Sequence, residues 1–191
     1  MKINIKLVLL VLFVVVMTFF LIFFAGKIFV ATLSSGLEIS DDEVKNNNKV
    51  SIGDEIPYFD LLSISGSRVR KSDLIGRPTI ITFWATWNTE STDQIKIYDD
   101  YINTKSINNN TDVYIVAINN QENRNKISSF MFSGGYDVDV LIDYSGEVGV
   151  SYGVQTLPTT LFIDSGGIIR EIYVGILSQK MLVEKVEKIL K

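Results

Sequence analysis

Four polar residues, Asn88-Thr89-Glu90-Ser91, follow an apolar run that contains Phe83 and Trp84 and ends at a second tryptophan, Trp87. A corner between a strand and a helix often displays a functional side chain. The Ser91 hydroxyl could act as a nucleophile only if a neighbouring base removed its proton, and the chain contains no histidine. A carboxylate or a lysine could still serve as the base that deprotonates Ser91, although no spacing in the sequence indicates one. We therefore predict no catalytic residue at this corner.

The same residues suit the start of a helix. Asparagine is among the best N-cap residues because its side chain accepts a hydrogen bond from a free backbone N–H of the first turn, so Asn88 is predicted to cap the helix. Glu90 and Asp93 add negative charge near the positive end of the helix dipole, worth about 0.3–1 kcal/mol each. The corner is thus predicted to be stable without being reactive.

The chain contains neither cysteine nor histidine. Its own residues therefore cannot perform thiol–disulfide exchange, thiolate catalysis or thiolate–metal binding, and the usual general base is missing. The 22 acidic residues leave calcium or magnesium binding open, yet no loop has the ordered ligand spacing that these ions need. We predict neither a metal nor a cofactor.

An apolar strand and an amphipathic helix must position the corner. The segment PTIITFWA, residues 78–85, is typical of a strand buried on both faces, so Trp84 is expected in the core and Trp87 is the better contact residue. A helix is predicted over residues 89–102, because Ile95, Tyr98 and Ile102 lie on one face.

The rest of the pattern alternates between strands and helices. Short strands are predicted at residues 58–64 and 68–70, 112–118, 138–143, 159–164 and 167–174. Helices are predicted at residues 71–76 (one turn, capped by Ser72), 121–132, 146–154 and 178–191. This order indicates an α/β domain with a mixed sheet.

An uncharged segment near the amino terminus is long enough to cross a bilayer. Residues 7–26 contain no charged side chain, and twenty helical residues span about 30 Å, the hydrocarbon thickness of a membrane. A cleaved signal peptide is the alternative, but its apolar core is normally about 7–15 residues long. Lys2 and Lys6 favour a cytoplasmic amino terminus. We predict a cytoplasmic segment at 1–6, a transmembrane anchor at 7–26, a tether at 27–49, and a domain at 50–191 on the extracytoplasmic side of a bacterial cell membrane.

The exported part is acidic. Setting aside Lys2, Lys6 and Lys27 leaves 15 basic residues against 22 acidic ones, a net charge of about −7. No basic patch stands out, so we predict no nucleic-acid partner.

Four motifs in order along the chain resemble one family. They are GDEIPYFDLLSISG, LIGRPTIITFWATW, YGVQTLPTTLFIDSGG and IYVG. On these residues the chain resembles the membrane-anchored thioredoxin-like proteins of the TlpA/ResA type, a redoxin or AhpC/TSA-like group that faces outward from bacterial membranes. The resemblance covers nearly everything from Val50 onward. It implies a thioredoxin-like fold, in which helices flank a mixed central sheet.

In that family the corner after the aromatic pair reads W-C-x-x-C, and the resemblance implies a disulfide-exchanging pair there. Here Asn88 and Ser91 occupy the two cysteine positions, which removes both the attacking and the resolving thiol. The resemblance also implies a cis-proline at Pro158, with Leu157 offering a free backbone N–H and C=O beside Trp87 and Asn88.

Three functions follow as hypotheses. The first is a membrane-tethered module that has lost redox activity and binds an extracytoplasmic protein or peptide through this groove. Its predicted binding residues are Trp87, Asn88, Thr89, Glu90, Ser91, Thr156, Leu157 and Pro158. The second is a thiol–disulfide oxidoreductase of the cytochrome c maturation type whose cysteines were replaced, in its lineage or by engineering. The third is a structural subunit of a membrane complex.

Overall fold

The computed structural model describes residues 17–18, 49–107 and 113–190. The chain divides into two units, residues 1–46 and 47–191. In the first unit Met17 and Thr18 are described, and both are helical. The rest of the predicted anchor, and all of the predicted tether except Lys49, lie outside the described residues. Within the described part of the chain, no helix combines the length and apolar character that crossing a membrane requires.

Seven strands form one mixed sheet in the second unit, as predicted. The strands are β1 (Asp60–Ser63), β2 (Arg68–Arg70), β3 (Thr79–Trp84), β4 (Tyr114–Asn120), β5 (Asp139–Asp143), β6 (Thr159–Ile163) and β7 (Ile169–Val174). Their order in the sheet is β2-β1-β5-β4-β3-β6-β7. Strand β4 is parallel to both β3 and β5, and the other neighbours are antiparallel. The corner therefore lies at the end of a central strand.

Four helices and one 3₁₀ turn connect or flank the strands. They are α1 (Thr89–Ile107), α2 (Arg124–Gly134), α3 (Glu147–Ser151), α4 (Gln179–Ile189) and the turn Lys71–Leu74. Helix α2 starts three residues after the predicted position because Asn123 caps it, accepting a hydrogen bond from the Lys126 N–H at 3.0 Å. The prediction that Ser72 caps the turn is wrong. The Asp73 carboxylate instead accepts a hydrogen bond from the Arg70 N–H at 2.9 Å.

Strand β3 is buried along its whole length. Successive side chains of a strand point to opposite faces. Trp84 packs with Ile95 and Tyr98 of α1 on one face, and Phe83 contacts the Tyr152 ring on the other, with 5.2 Å between ring centroids. The predicted burial of Trp84 is confirmed. Because the sheet is packed on both faces here, the end of β3 that leads into the corner is held in place by the core.

Candidate functional site

Asn88 is the residue at which helix α1 begins. Its side-chain Oδ1 accepts a hydrogen bond from the Ser91 N–H at 2.8 Å, and its own N–H donates to the Ala85 carbonyl at 3.3 Å. A side-chain cap of this kind is worth about 1 kcal/mol. The prediction that Asn88 caps the helix is confirmed, and Glu90 lies in the first turn, where the helix dipole favours its charge.

The Asn88 amide also reaches the segment before Pro158. Its Nδ2 donates to the Leu157 carbonyl oxygen at 3.3 Å. The Leu157–Pro158 peptide bond is cis, as the resemblance implies. We expected both the N–H and the C=O of Leu157 to be free. This expectation is wrong for the carbonyl, because its oxygen accepts the hydrogen bond from Asn88. Its N–H, in contrast, donates to no other group among the described residues.

Most of the predicted binding residues have side chains at the surface of the corner. Trp87 is 64% exposed, whereas Trp84 is fully buried. A large exposed indole beside a backbone donor is a feature that protein interfaces often use. Thr89, Glu90 and Thr156 are also exposed, and Asn88 and Leu157 are half-buried.

Two of the predicted residues lie below this surface. Pro158 is buried. Ser91 is fully buried, and its Oγ has no hydrogen-bond partner among the described residues. Ser91 is therefore corrected from a binding residue to a residue beneath the corner, because a partner at the surface cannot touch its hydroxyl.

Glu122 binds Thr86, two residues before Asn88, and the sequence analysis did not identify it. Its buried carboxylate accepts hydrogen bonds from the Thr86 N–H and the Thr86 hydroxyl, both at 2.6 Å, and from Asn119 Nδ2 at 2.9 Å. The Lys126 ammonium lies 2.6 Å from the same carboxylate. Burial opposes ionisation, but the hydrogen bonds from Lys126, Thr86 and Asn119 outweigh it and lower the pKa of Glu122. The only sequence signal is a polar run after a strand.

A layer of buried hydroxyls ties the two sides of the groove together. The Thr160 hydroxyl of β6 lies 3.1 Å from the Thr82 hydroxyl of β3 and 2.9 Å from the Tyr98 hydroxyl of α1. Burial raises the pKa of Tyr98 to about 12, so its hydroxyl stays protonated at neutral pH. These bonds fix α1 and β6 relative to each other, and so fix the spacing between Asn88 and Leu157.

A small open pocket of about 110 Å³ lies beside the groove. Its lining includes Thr156 and Thr159 from the segment around Pro158, and the apolar side chains of Leu161, Ile172 and Val174.

The chemistry of the corner is limited to hydrogen bonding and apolar contact. It displays the Asn88 amide, the Thr89 hydroxyl, the Glu90 carboxylate and the Trp87 indole, and no sulfur or imidazole. Within residues 17–18, 49–107 and 113–190, no three acidic, cysteine or histidine side chains are grouped closely enough to hold a metal ion.

Comparisons with known proteins agree with this geometry. The sequence model of the AhpC/TSA family matches residues 52–172. The chain is 28% identical over 158 residues to the thiol-disulfide oxidoreductase ResA of Bacillus subtilis. This match covers 82% of this chain and 86% of ResA. It is 29% identical over 131 residues to the thiol:disulfide interchange protein DsbE of Pseudomonas fluorescens, covering 67% of this chain and 69% of DsbE.

A solved structure shows the same fold. It is the crystal structure of a thiol:disulfide interchange protein of the thioredoxin family from Chlorobium tepidum, with a TM-score of 0.64 at 20% sequence identity. The match covers 74% of this chain and 99% of that chain. The comparisons confirm the relationship that the four sequence motifs predict, and the likeness of structure confirms the thioredoxin-like fold.

Proposed function

This chain belongs to the AhpC/TSA family, and from that premise we propose that it is a membrane-anchored, extracytoplasmic thioredoxin-like module that binds an extended peptide segment without exchanging disulfides. One observation carries the proposal. Trp87 is exposed, its neighbour Asn88 contacts Leu157, and the Leu157 N–H has no acceptor among the described residues, all at a corner that contains no sulfur.

Disulfide exchange needs a thiolate that attacks a sulfur atom and a second thiol that resolves the mixed disulfide. Asn88 and Ser91 can perform neither step, since an amide and an aliphatic hydroxyl are not reducing groups. ResA is named as a thiol-disulfide oxidoreductase and DsbE as a thiol:disulfide interchange protein, and those names concern those proteins. For this chain we propose peptide binding at the groove formed by residues 87–91 and 156–158, without disulfide exchange.

Peptide binding is supported by the groups that remain. An extended segment can accept a hydrogen bond from the Leu157 N–H, in the way that a strand adds to a sheet edge. Trp87 offers apolar area to the same segment, and the pocket beside Thr156 suits an apolar side chain. Backbone pairing supplies affinity in this mode, and the neighbouring side chains supply selectivity.

The membrane location is proposed from the amino-terminal sequence. Residues 7–26 are uncharged and are preceded by Lys2 and Lys6, a pattern that favours an anchor with the following domain outside. The partner would then be an extracytoplasmic protein or peptide.

A single introduced cysteine tests the proposal, because the chain has no other thiol. Thr89→Cys places a thiol on the exposed first residue of α1, and Ser129→Cys places one on an exposed site of α2. Each variant is equilibrated with a panel of extended peptides that carry one cysteine and vary in their apolar residues, under reversible thiol exchange.

The expected result is that Thr89→Cys retains some peptides against about tenfold more competing thiol than Ser129→Cys does, a difference of about 1.4 kcal/mol. Equal retention of every peptide at both positions would contradict the proposed function.

A further inference from the structure

The groove is already partly occupied by the chain's own side chain. In an antiparallel pair, a hydrogen-bonded residue uses both its N–H and its C=O toward the same neighbour. At Leu157 the N–H has no acceptor within the part of the chain that the structure describes, but the carbonyl accepts a hydrogen bond from Asn88 Nδ2 at 3.3 Å. A segment that pairs fully with Leu157 therefore competes with the Asn88 amide for this carbonyl oxygen, which has two lone pairs and already uses one of them.

Asn88 makes this contact while also capping α1. Its Oδ1 is held by the Ser91 N–H at 2.8 Å, which leaves Nδ2 pointing away from the helix and toward Leu157. An asparagine has both an acceptor and two donors on one planar group. Serine and aspartate can accept from the first turn of a helix equally well, but neither supplies the amide donor.

We infer that Asn88 is the residue that sets peptide affinity at this groove, by competing for the Leu157 carbonyl with any extended segment. This inference rests on the proposed function and adds a regulatory contact to the same site. An amide donor at position 88 should weaken peptide binding. Replacements that keep the cap and remove the amide donor should strengthen peptide binding, although they delete a hydrogen bond.

Three variants separate the two roles of Asn88. Asn88→Ser and Asn88→Asp both keep an acceptor for the Ser91 N–H and lose the donor to Leu157, and one is neutral while the other is charged. Asn88→Ala loses both. If Asn88→Ser and Asn88→Asp behave alike, the charge of the aspartate is not the cause.

The first measurement needs no peptide. In the full chain in detergent micelles, NMR follows the carbonyl carbon of Leu157 and the exchange rate of the Ser91 amide. All three variants should shift the Leu157 carbonyl resonance upfield, because that oxygen loses a donor. Only Asn88→Ala should speed exchange at Ser91. An unchanged Leu157 resonance in Asn88→Ser and Asn88→Asp would overturn the inference, whatever the outcome of the peptide-capture experiment.

The second measurement uses the cysteine peptides described above. Thr89→Cys is compared with the same variant carrying Asn88→Ser or Asn88→Asp, against the peptides that Thr89→Cys retains best. Once the Asn88 amide no longer occupies the Leu157 carbonyl, the concentration of competing thiol that releases half of the peptide should rise about three- to tenfold. This is the range expected when one neutral hydrogen bond no longer has to be broken. Unchanged or weaker retention in both double variants would also overturn the inference, while leaving the proposed function standing.

Discussion

Asn88 shows how a residue that replaces a reactive one can take a structural role. At the position where the family's attacking cysteine is implied, an amide caps α1 at 2.8 Å and bridges to Leu157 at 3.3 Å. Ser91, at the second position, is fully buried. The two positions differ in exposure, since Asn88 is half-buried, and neither carries sulfur.

Restoring both thiols tests whether the scaffold remains competent. The double variant Asn88→Cys, Ser91→Cys should accelerate the reduction of insulin by dithiothreitol, whereas the unmodified chain should not. The helix amino terminus lowers the pKa of a thiol at position 88, which gives about a tenfold larger thiolate fraction near neutral pH than an ordinary cysteine has. The assay is insulin turbidity.

Ser91→Cys alone is the matched control for this experiment, since its thiol is buried and has no partner thiol. No acceleration by a correctly folded double variant would mean that the corner differs from its relatives by more than the loss of sulfur.

At the scale of elements, the position of the corner depends on a carboxylate from another segment. Glu122 follows β4 and binds Thr86, which follows β3, so the ends of two parallel strands are joined by one buried side chain. The pKa of Glu122 is lowered in the folded protein. A group of this kind adds stability above its unfolded pKa and loses that contribution as the pH falls through its folded pKa.

Glu122→Gln should therefore destabilise the protein at neutral pH by about 1.5–3 kcal/mol, the usual worth of hydrogen bonds to a charged group. The difference from the unmodified chain should be complete above pH 4.5, the ordinary pKa of the carboxyl, and should shrink as the pH falls below it. Urea unfolding at pH 7 and in acid measures the difference.

Glu187→Gln, at an exposed glutamate of α4, corrects for the general effect of removing one carboxylate. A destabilisation by Glu122→Gln that is the same at both pH values would argue against an ionised Glu122 in the folded protein.

The elements that the sequence predicted well are those with a local signal. Strand β3 is an unbroken apolar run, and the start of α1 follows from the asparagine cap. The contacts that the sequence did not reveal join distant segments. Thr86 and Glu122 are 36 residues apart, and Asn88 and Leu157 are 69 apart. These contacts arise from the order of strands in the sheet, for which no local pattern exists. Ser91 was misplaced for the same reason, since its burial depends on what packs against α1.

The whole chain is proposed to combine an acidic thioredoxin-like domain with an amino-terminal membrane anchor. The net charge of about −7 for residues 28–191 suits a well-solvated domain. The anchor at 7–26 is proposed from its uncharged, apolar sequence.

Labelling of single cysteines in whole cells tests this arrangement. A membrane-impermeant maleimide should label Thr89→Cys and Ser129→Cys in intact bacteria, because both positions lie in the domain proposed to be outside. Ile3→Cys, in the proposed cytoplasmic segment, should be labelled only after the cells are lysed. The reverse pattern would contradict the proposed orientation.

The most direct test of the central claim follows the fluorescence of the unmodified chain. The peptide that Thr89→Cys retains best is titrated into the protein in a form without its cysteine, and tryptophan emission is recorded. We expect a saturable blue shift as Trp87, 64% exposed in the free protein, loses contact with water. We expect no shift in a Trp87→Phe variant, because Trp84 is already buried. Binding that leaves the emission unchanged, or a blue shift of the same size in Trp87→Phe, would contradict the central claim.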